Sequence, residues 1–429
     1  MMKMRAKDFS AIFLFLILSV PAICFGSGFY TADQSAKATG LGTANVASVD
    51  DASAAYFNPA ALADLDGAHL MSGVTVYDIS GRFKSDNGPD DELENALIPL
   101  PYLHAAYKTS EKSAIGLAVV SDFGLATDWE DDWDGRFITG ATYADSMAIT
   151  VNPVFAYEIS PRISVAAGPV LRYFSFDLQN QVPNLLGGYG IGPAVAETGS
   201  QVEGEGWGYG FSVALKARLT ESIEFGVSYR SKTEHTLSGD FTIDDQGVNG
   251  YTNCPIEAEV TLPAYADIGL SWHRDRWTVS AAVLWTQWSA YDELKVTFGQ
   301  TQGIAGLNQA DGYSMSTRWD DTWTYKLGVE YALNPTWSLR SGIIYDPTPV
   351  PDDTLDPLVP VGDRLDFTFG LGFYRGAWHI DAAYLLVTSE DRRFDNANGD
   401  FSDWGMATVS GEFEDFVTHA LAISASYRF

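Results

Sequence analysis

Apolar and polar residues alternate with a period of two along most of this chain. In residues 222–230, Ile223, Phe225, Val227 and Tyr229 fall on one face and Ser222, Glu224, Gly226, Ser228 and Arg230 on the other. Residues 323–333 repeat the pattern, with Trp323, Tyr325, Leu327, Val329, Tyr331 and Leu333 set against Thr324, Lys326, Gly328, Glu330 and Ala332. The same alternation runs through residues 210–219 and 364–373, and through the end of the chain, where Leu421, Ile423 and Tyr427 alternate with Ala422, Ser424 and Arg428. Successive strand side chains point to opposite faces, so the pattern predicts strands with one apolar and one polar surface. A soluble sandwich also alternates. Here the polar face is Gly and Ser with single charges, as suits a lumen, and the apolar face carries aromatics near strand ends, as in interfacial girdles.

The breaks between strands fall into two alternating classes. Short ones lie at 110–112, 158–162, 220–221, 273–276, 334–336 and 376–377. Long, acidic ones lie at about 83–98, 127–143, 179–204, 239–255, 298–320, 347–362 and 389–416. Short periplasmic turns alternating with long external loops are what an up-and-down outer-membrane barrel produces. The connections separate fourteen strands, so the predicted fold is all-β, a transmembrane antiparallel barrel.

Composition and charge narrow the setting. The 429 residues carry 26 Lys+Arg against 56 Asp+Glu, a formal charge of −30, and nucleic acid is excluded as a partner because its phosphates require a basic surface. The amino terminus has a basic stretch (Lys3, Arg5, Lys7), an apolar run over residues 11–20 and small residues around Gly26, which is the layout of a secretory signal peptide spanning 1–26. A lipoprotein reading with Cys24 as the lipidated residue is the alternative, with bulky Ile23 against it. Removal of 1–26 takes away three bases and one acid, leaving −32 and Cys254 as the single cysteine. The barrel then occupies 68–429. Residues 27–67, rich in Ala, Gly, Ser and Asp, do not alternate and suit close packing as a plug inside the lumen, with a periplasmic linker as the plainer alternative.

Gly28-Phe29, Gly40-Leu41-Gly42, residues 50–53 and the motif Asn58, Pro59, Ala60 resemble the amino-terminal hatch of the FadL family of outer-membrane long-chain fatty-acid transporters. The likeness continues through residues 121–127, Leu262-Pro263, residues 285–289, 337–346 and 349–351, and Asp363-Arg364, in family order over nearly the whole mature chain. The resemblance implies a fourteen-stranded barrel, plugged by the hatch, in the bacterial outer membrane. It would act as a monomer among outer-membrane lipids and lipopolysaccharide, taking up a hydrophobic small molecule without a cofactor. Ligand would lodge inside the barrel and leave sideways where the third strand is kinked. Gly124 is the residue expected at that kink, because glycine within a strand often marks a bend.

Arg340, Asp346, Arg364 and Asp366 share lumen faces of adjacent strands and are the candidate pocket, with wall-bracing ion pairs as the alternative role. Where the family's carboxylate-binding cations align, this chain has Asn180 and Met315; Arg172 and Arg318 are near but out of register. A neutral hydrocarbon or aromatic ligand therefore stands beside a fatty acid. The six histidines are scattered, no HExxH or G-x-S-x-G motif occurs, and residues 395–400 lack the oxygen spacing of an EF-hand, so no catalytic or metal site is expected. A general diffusion porin and a lipid-modifying enzyme are the competing functions.

Overall fold

The computed structural model describes residues 28–94, 97–131, 133, 135–136, 141–183, 197–245, 250–299, 312–395 and 409–429; the signal-peptide segment lies outside them. The wall begins with β1 (Ala68–Ser85), β2 (Leu97–Lys108), β3 (Ser113–Asp128), β4 (Ala141–Ser160), β5 (Ile163–Pro183) and β6 (Glu197–Arg218). The next four strands are each interrupted once: β7 (Ile223–Arg230 and Thr233–Asp245), β8 (Gly250–Leu262 and Tyr265–Arg274), β9 (Trp277–Thr286 and Glu293–Phe298) and β10 (Gly312–Ser316 and Thr322–Asn334). β11 (Trp337–Asp346), β12 (Arg364–Arg375), β13 (Trp378–Ser389 and Arg392–Asp395) and β14 (Ser410–Arg428) complete it. Each strand pairs antiparallel with the next, and β14 pairs with β1 from His69–Arg428 up to Ser85–Gly411, closing the fourteen-stranded barrel.

Exposure follows the alternation. Phe211, Trp323, Tyr325, Leu327, Phe369, Leu421 and Ile423 face outwards, while Ser212, Thr324, Lys326, Ser228 and Ser424 are buried. Aromatic pairs such as Trp277–Tyr331, Trp337–Phe373 and Trp378–Tyr427 ring the end bearing the short turns. The expected long loops at 179–204 and 239–255 are shorter than the sequence suggests. β5 runs to Pro183, β6 starts at Glu197, and β7 and β8 approach each other to Asp245 and Gly250. Outside the bilayer neither face needs to be apolar, so alternation stops, but backbone pairing continues through registers such as Glu203–Asp240.

Residues 30–64 fold inside the barrel as α1 (Ala36–Gly40), α2 (Ala54–Phe57) and a 3-10 turn (Pro59–Asp64). Almost every side chain in them is buried. Wall glycines admit their backbone: a Cβ on Gly370 would lie 2.9 Å from Gly40 Cα, and one on Gly342 would lie 2.4 Å from Gly42 N. The small residues of the polar strand face thus serve the plug rather than an open lumen. Asn58 is fully buried; its carbonyl oxygen caps the 3-10 turn at Ala60 N, and its amide donates to Val46 O (2.7 Å) and to Leu215 O on β6 (3.2 Å). Pro59 occupies the first position of that turn, where its missing N–H costs nothing, and Ala60 packs beneath it.

Candidate functional site

One seam of the wall is incomplete. β2 and β3 pair from Lys108–Ala114 only as far as Leu103–Val119; above that, β2 pairs with β1 alone. β3 continues along β4, with a register shift between Val120 and Phe123 that makes Ser121-Asp122 a bulge. The bulge reverses the phase of the strand. Below it Ala114, Ala118 and Val120 face inwards; above it Phe123, Leu125 and Thr127 do. Gly124 lies two residues past the shift, opposite Met147 on β4.

Backbone groups freed from a membrane sheet must find partners within the protein, and the hatch supplies them. Gly124 N–H donates to Phe29 O (2.8 Å), and Thr31 N–H to Asp122 O (3.0 Å). The Thr31 hydroxyl and the Gln34 amide both donate to Ser121 O, at 2.6 and 2.5 Å. On the other bank, β2 carries Pro99 and Pro101, which have no N–H to leave unpaired. Two prolines in what reads as an interior strand are a sequence signal of this seam that apolar–polar alternation does not carry.

The hatch terminus is anchored in an aromatic box. The Phe29 ring lies 5.0 Å from Trp288, 5.1 Å from Tyr291, and 5.8 Å from both Phe123 and Trp319, centroid to centroid. Beneath it a buried polar network joins hatch, bulge and wall. Arg172 donates to Asp122 (2.6 Å), Thr150 (2.9 Å) and Thr233 (2.8 Å). Tyr265 donates to the same Asp122 carboxylate (3.0 Å), and the Tyr30 and Tyr56 hydroxyls lie 3.1 Å apart. Arg230 stacks over Tyr56 and donates to Tyr265 OH (2.8 Å), Asn152 Oδ1 (2.9 Å) and the Tyr56 carbonyl (3.1 Å). Among the described buried arginines, Arg230 alone has no carboxylate partner. None of Asp122, Arg230 or Tyr265 stands out in the sequence by spacing; Asp122 is marked by being an acid inside a strand and by lying in the family-like segment 121–127, and Arg230 by its place on the polar face of residues 222–230.

The four candidate pocket residues separate into two places. Asp346, Arg364 and Asp366 line a cavity of about 50 Å³ together with Asp33, Thr43, Tyr77 and Lys326. Arg364 is paired with Asp346, which also accepts from Thr324 Oγ1 at 2.7 Å. Arg340 lies nearer the short-turn end, held by Glu330 (2.5 Å), Asp381 (2.6 Å), Ser338 (3.1 Å) and Tyr374. It braces the wall beside α1. Burial pushes the Asp33 carboxyl above its ordinary range, against the opposing effect of the hydrogen bond from Tyr77. Asn180 pairs with Ser200 high on β5, the Met315 side chain lies outside the described set, and Arg318 is exposed with Asp353 at 3.0 Å. Among the described residues no three His, Cys, Asp or Glu side chains are grouped to hold a metal ion.

This architecture is shared. The chain is similar to the long-chain fatty acid transport protein of Escherichia coli K12, 23% identical over 87% of this chain and 91% of the relative. Its fold matches the crystal structure of a Pseudomonas aeruginosa FadL homologue, with a TM-score of 0.78 and 21% identity over 94% of this chain and all of that one. It also matches the P. putida toluene transporter TodX, with a TM-score of 0.73 and 17% identity over 92% and 98%. The family model for outer membrane protein transport proteins (OMPP1/FadL/TodX) matches residues 17–429. A fourteen-stranded barrel, a filled lumen and a match over almost the whole sequence place this chain in that family of outer-membrane transport proteins.

Proposed function

We propose that this protein imports a hydrophobic small molecule, a long-chain fatty acid or a hydrocarbon, and releases it sideways between β2 and β3. The observation that carries the reading is the unpaired stretch of that seam, whose bulge is closed from inside by residues 29–34 of the hatch. A greasy molecule gains nothing from an aqueous exit, whereas lateral release keeps its surface away from water. Displacing Phe29 from its box and Thr31 from the bulge would join the barrel interior to the seam without breaking any of the other strand pairings. Gly124 and Ala126, alternating with the inward Phe123, Leu125 and Thr127, leave the bent stretch without bulky side chains on its other side. The relatives are named for fatty acid and for toluene, and both classes fit such a route. Arg230 is the group that a carboxylate head would meet on it. The protein works as a monomer surrounded by membrane lipid and lipopolysaccharide, and as a carrier with no catalytic step.

A filled lumen weighs against a diffusion porin. Purified protein in a planar bilayer should show little conductance while cells producing it take up labelled oleate or toluene. A large, steady conductance would instead mean an open pore.

A further inference from the structure

The small cavity between hatch and wall has more acceptors than donors. Its two cations are already committed: Arg364 to Asp346, and Lys326 to Asp267 at 3.0 Å. Among the described residues, Asp33 and Asp366, 8% and 7% exposed, have no cation partner within ion-pair distance. Three oxygens of its lining residues have no hydrogen-bond partner among the described residues: Asp33 Oδ1 and Thr43 Oγ1 from the hatch, and Asp366 Oδ1 from β12. Two buried carboxylates of like charge beside an unsatisfied hydroxyl are costly unless something positive lies between them.

We propose that this cavity binds one hard, oxygen-coordinated cation, clamped between Asp33 and Thr43 of the hatch and Asp366 of the wall. A volume of about 50 Å³ accommodates such an ion with a few waters. Sodium, calcium and magnesium all take carboxylate, hydroxyl and water oxygens, and two carboxylates with retained water form a recognised donor set for ions that dehydrate reluctantly. Asp346, the third carboxylate of the cavity, is paired with Arg364, so the site offers two carboxylates rather than the three or more acidic or imidazole groups of a dedicated metal cage, and affinity is modest and set by the ionic surroundings. Because one side of it is hatch and the other wall, cation binding holds the hatch docked. The proposal does not depend on what the protein transports.

The test uses the full mature protein in detergent, stripped with chelator and titrated separately with CaCl2, MgCl2 and NaCl against choline chloride at matched ionic strength. At least one cation should raise the thermal midpoint saturably, and equilibrium dialysis should show one more ion bound to wild type than to Asp366→Asn. The apparent affinity should fall at least tenfold in Asp366→Asn. In cation-free buffer the order should reverse, with Asp366→Asn the more heat-stable because a like charge has gone. Asp33→Asn, in the hatch rather than the wall, gives the same readout if Asp366→Asn does not fold. Superimposable titrations of wild type and both variants would overturn the site, since the acidic exterior would then account for all binding. So would a midpoint that responds to pH but to none of the three salts, which would mean a shared proton instead.

Discussion

Two seams of the same barrel are built to opposite ends. β1 and β14 pair from the short-turn end to Ser85–Gly411 with a single register shift between Ser80 and Arg82, and their outward residues Leu421 and Ile423 present a plain apolar surface to lipid. β2 and β3 pair through Leu103–Val119 and then part; on the β2 bank lie two prolines and Leu97, 71% exposed, and on the β3 bank a bulge. The first seam is satisfied by the ladder itself. The second is satisfied by another part of the chain, through four hydrogen bonds from or to residues 29–34. A wall that must stay shut uses strand pairing, which opens only when the barrel unfolds. On the proposed lateral route, the stretch that opens is the one held by a partner that can leave.

Removing the hatch should have the largest effect. Deleting residues 28–67 should leave a folded, heat-modifiable barrel with a large conductance in planar bilayers, because the lumen glycines that pack against hatch backbone would then face water. A deletion mutant as silent as wild type would show that the hatch does not seal the barrel.

The lipid faces of the two seams should respond differently to charge. Ile423→Arg, about midway along the β14 face, should cost about 2–4 kcal/mol in unfolding free energy, whereas Leu97→Arg, at the upper end of β2, should cost about 0–1 kcal/mol. Equal costs would contradict the depth assigned to the opened seam.

Arg230→Met sharpens the question of what crosses it. Hydrogen bonds to a charged group are worth about 1.5–3 kcal/mol, so oleate uptake should fall at least tenfold while toluene uptake is retained. A parallel loss of both would make Arg230 a brace for Tyr56 and nothing more.

The smallest effect concerns pH. Without a bound cation, burial raises the Asp33 carboxyl in the folded protein, so the docked hatch then prefers its neutral form. Docking is then firm at low pH and weakens as pH rises from the ordinary carboxylate range through the raised value. Tyr77, Lys326, Asp346, Arg364 and Asp366 surround the same cavity. In cation-free buffer, protease access to the hatch should increase over that window in wild type, and Asp33→Asn should flatten the dependence.

The barrel was legible because a membrane wall leaves its period in every strand: residues 222–230 and 323–333 carry the phase that their exposure shows. The loop lengths were less legible, since ladders beyond the bilayer pair through backbone without needing apolar side chains, as at Glu203–Asp240. The opened seam was half hidden. Ile115, Leu117, Val119, Phe123 and Leu125 all fall on odd positions, so the sequence reads as one unbroken face. The bulge at Ser121-Asp122 sends the last two inwards, and that depends on partners far away in sequence: Phe29, Thr31 and Arg172. Even spacing likewise put Arg340 and Asp346 on one strand face, but it could not tell that they stand at different depths with separate partners. Orphaned oxygens such as Thr43 Oγ1 have no sequence signature at all.

On the proposed route, substrate leaves through the seam between β2 and β3. Uptake by Gly124→Trp, measured alongside ligand binding to the purified variant, tests it most directly. A bulky ring beside the bulge should leave the barrel folded and ligand binding nearly unchanged, because ligand enters from the other side of the hatch, while uptake of labelled oleate or toluene falls at least tenfold. Uptake at the wild-type rate in a folded, ligand-binding Gly124→Trp protein would contradict the lateral route and point to release through the periplasmic end of the barrel.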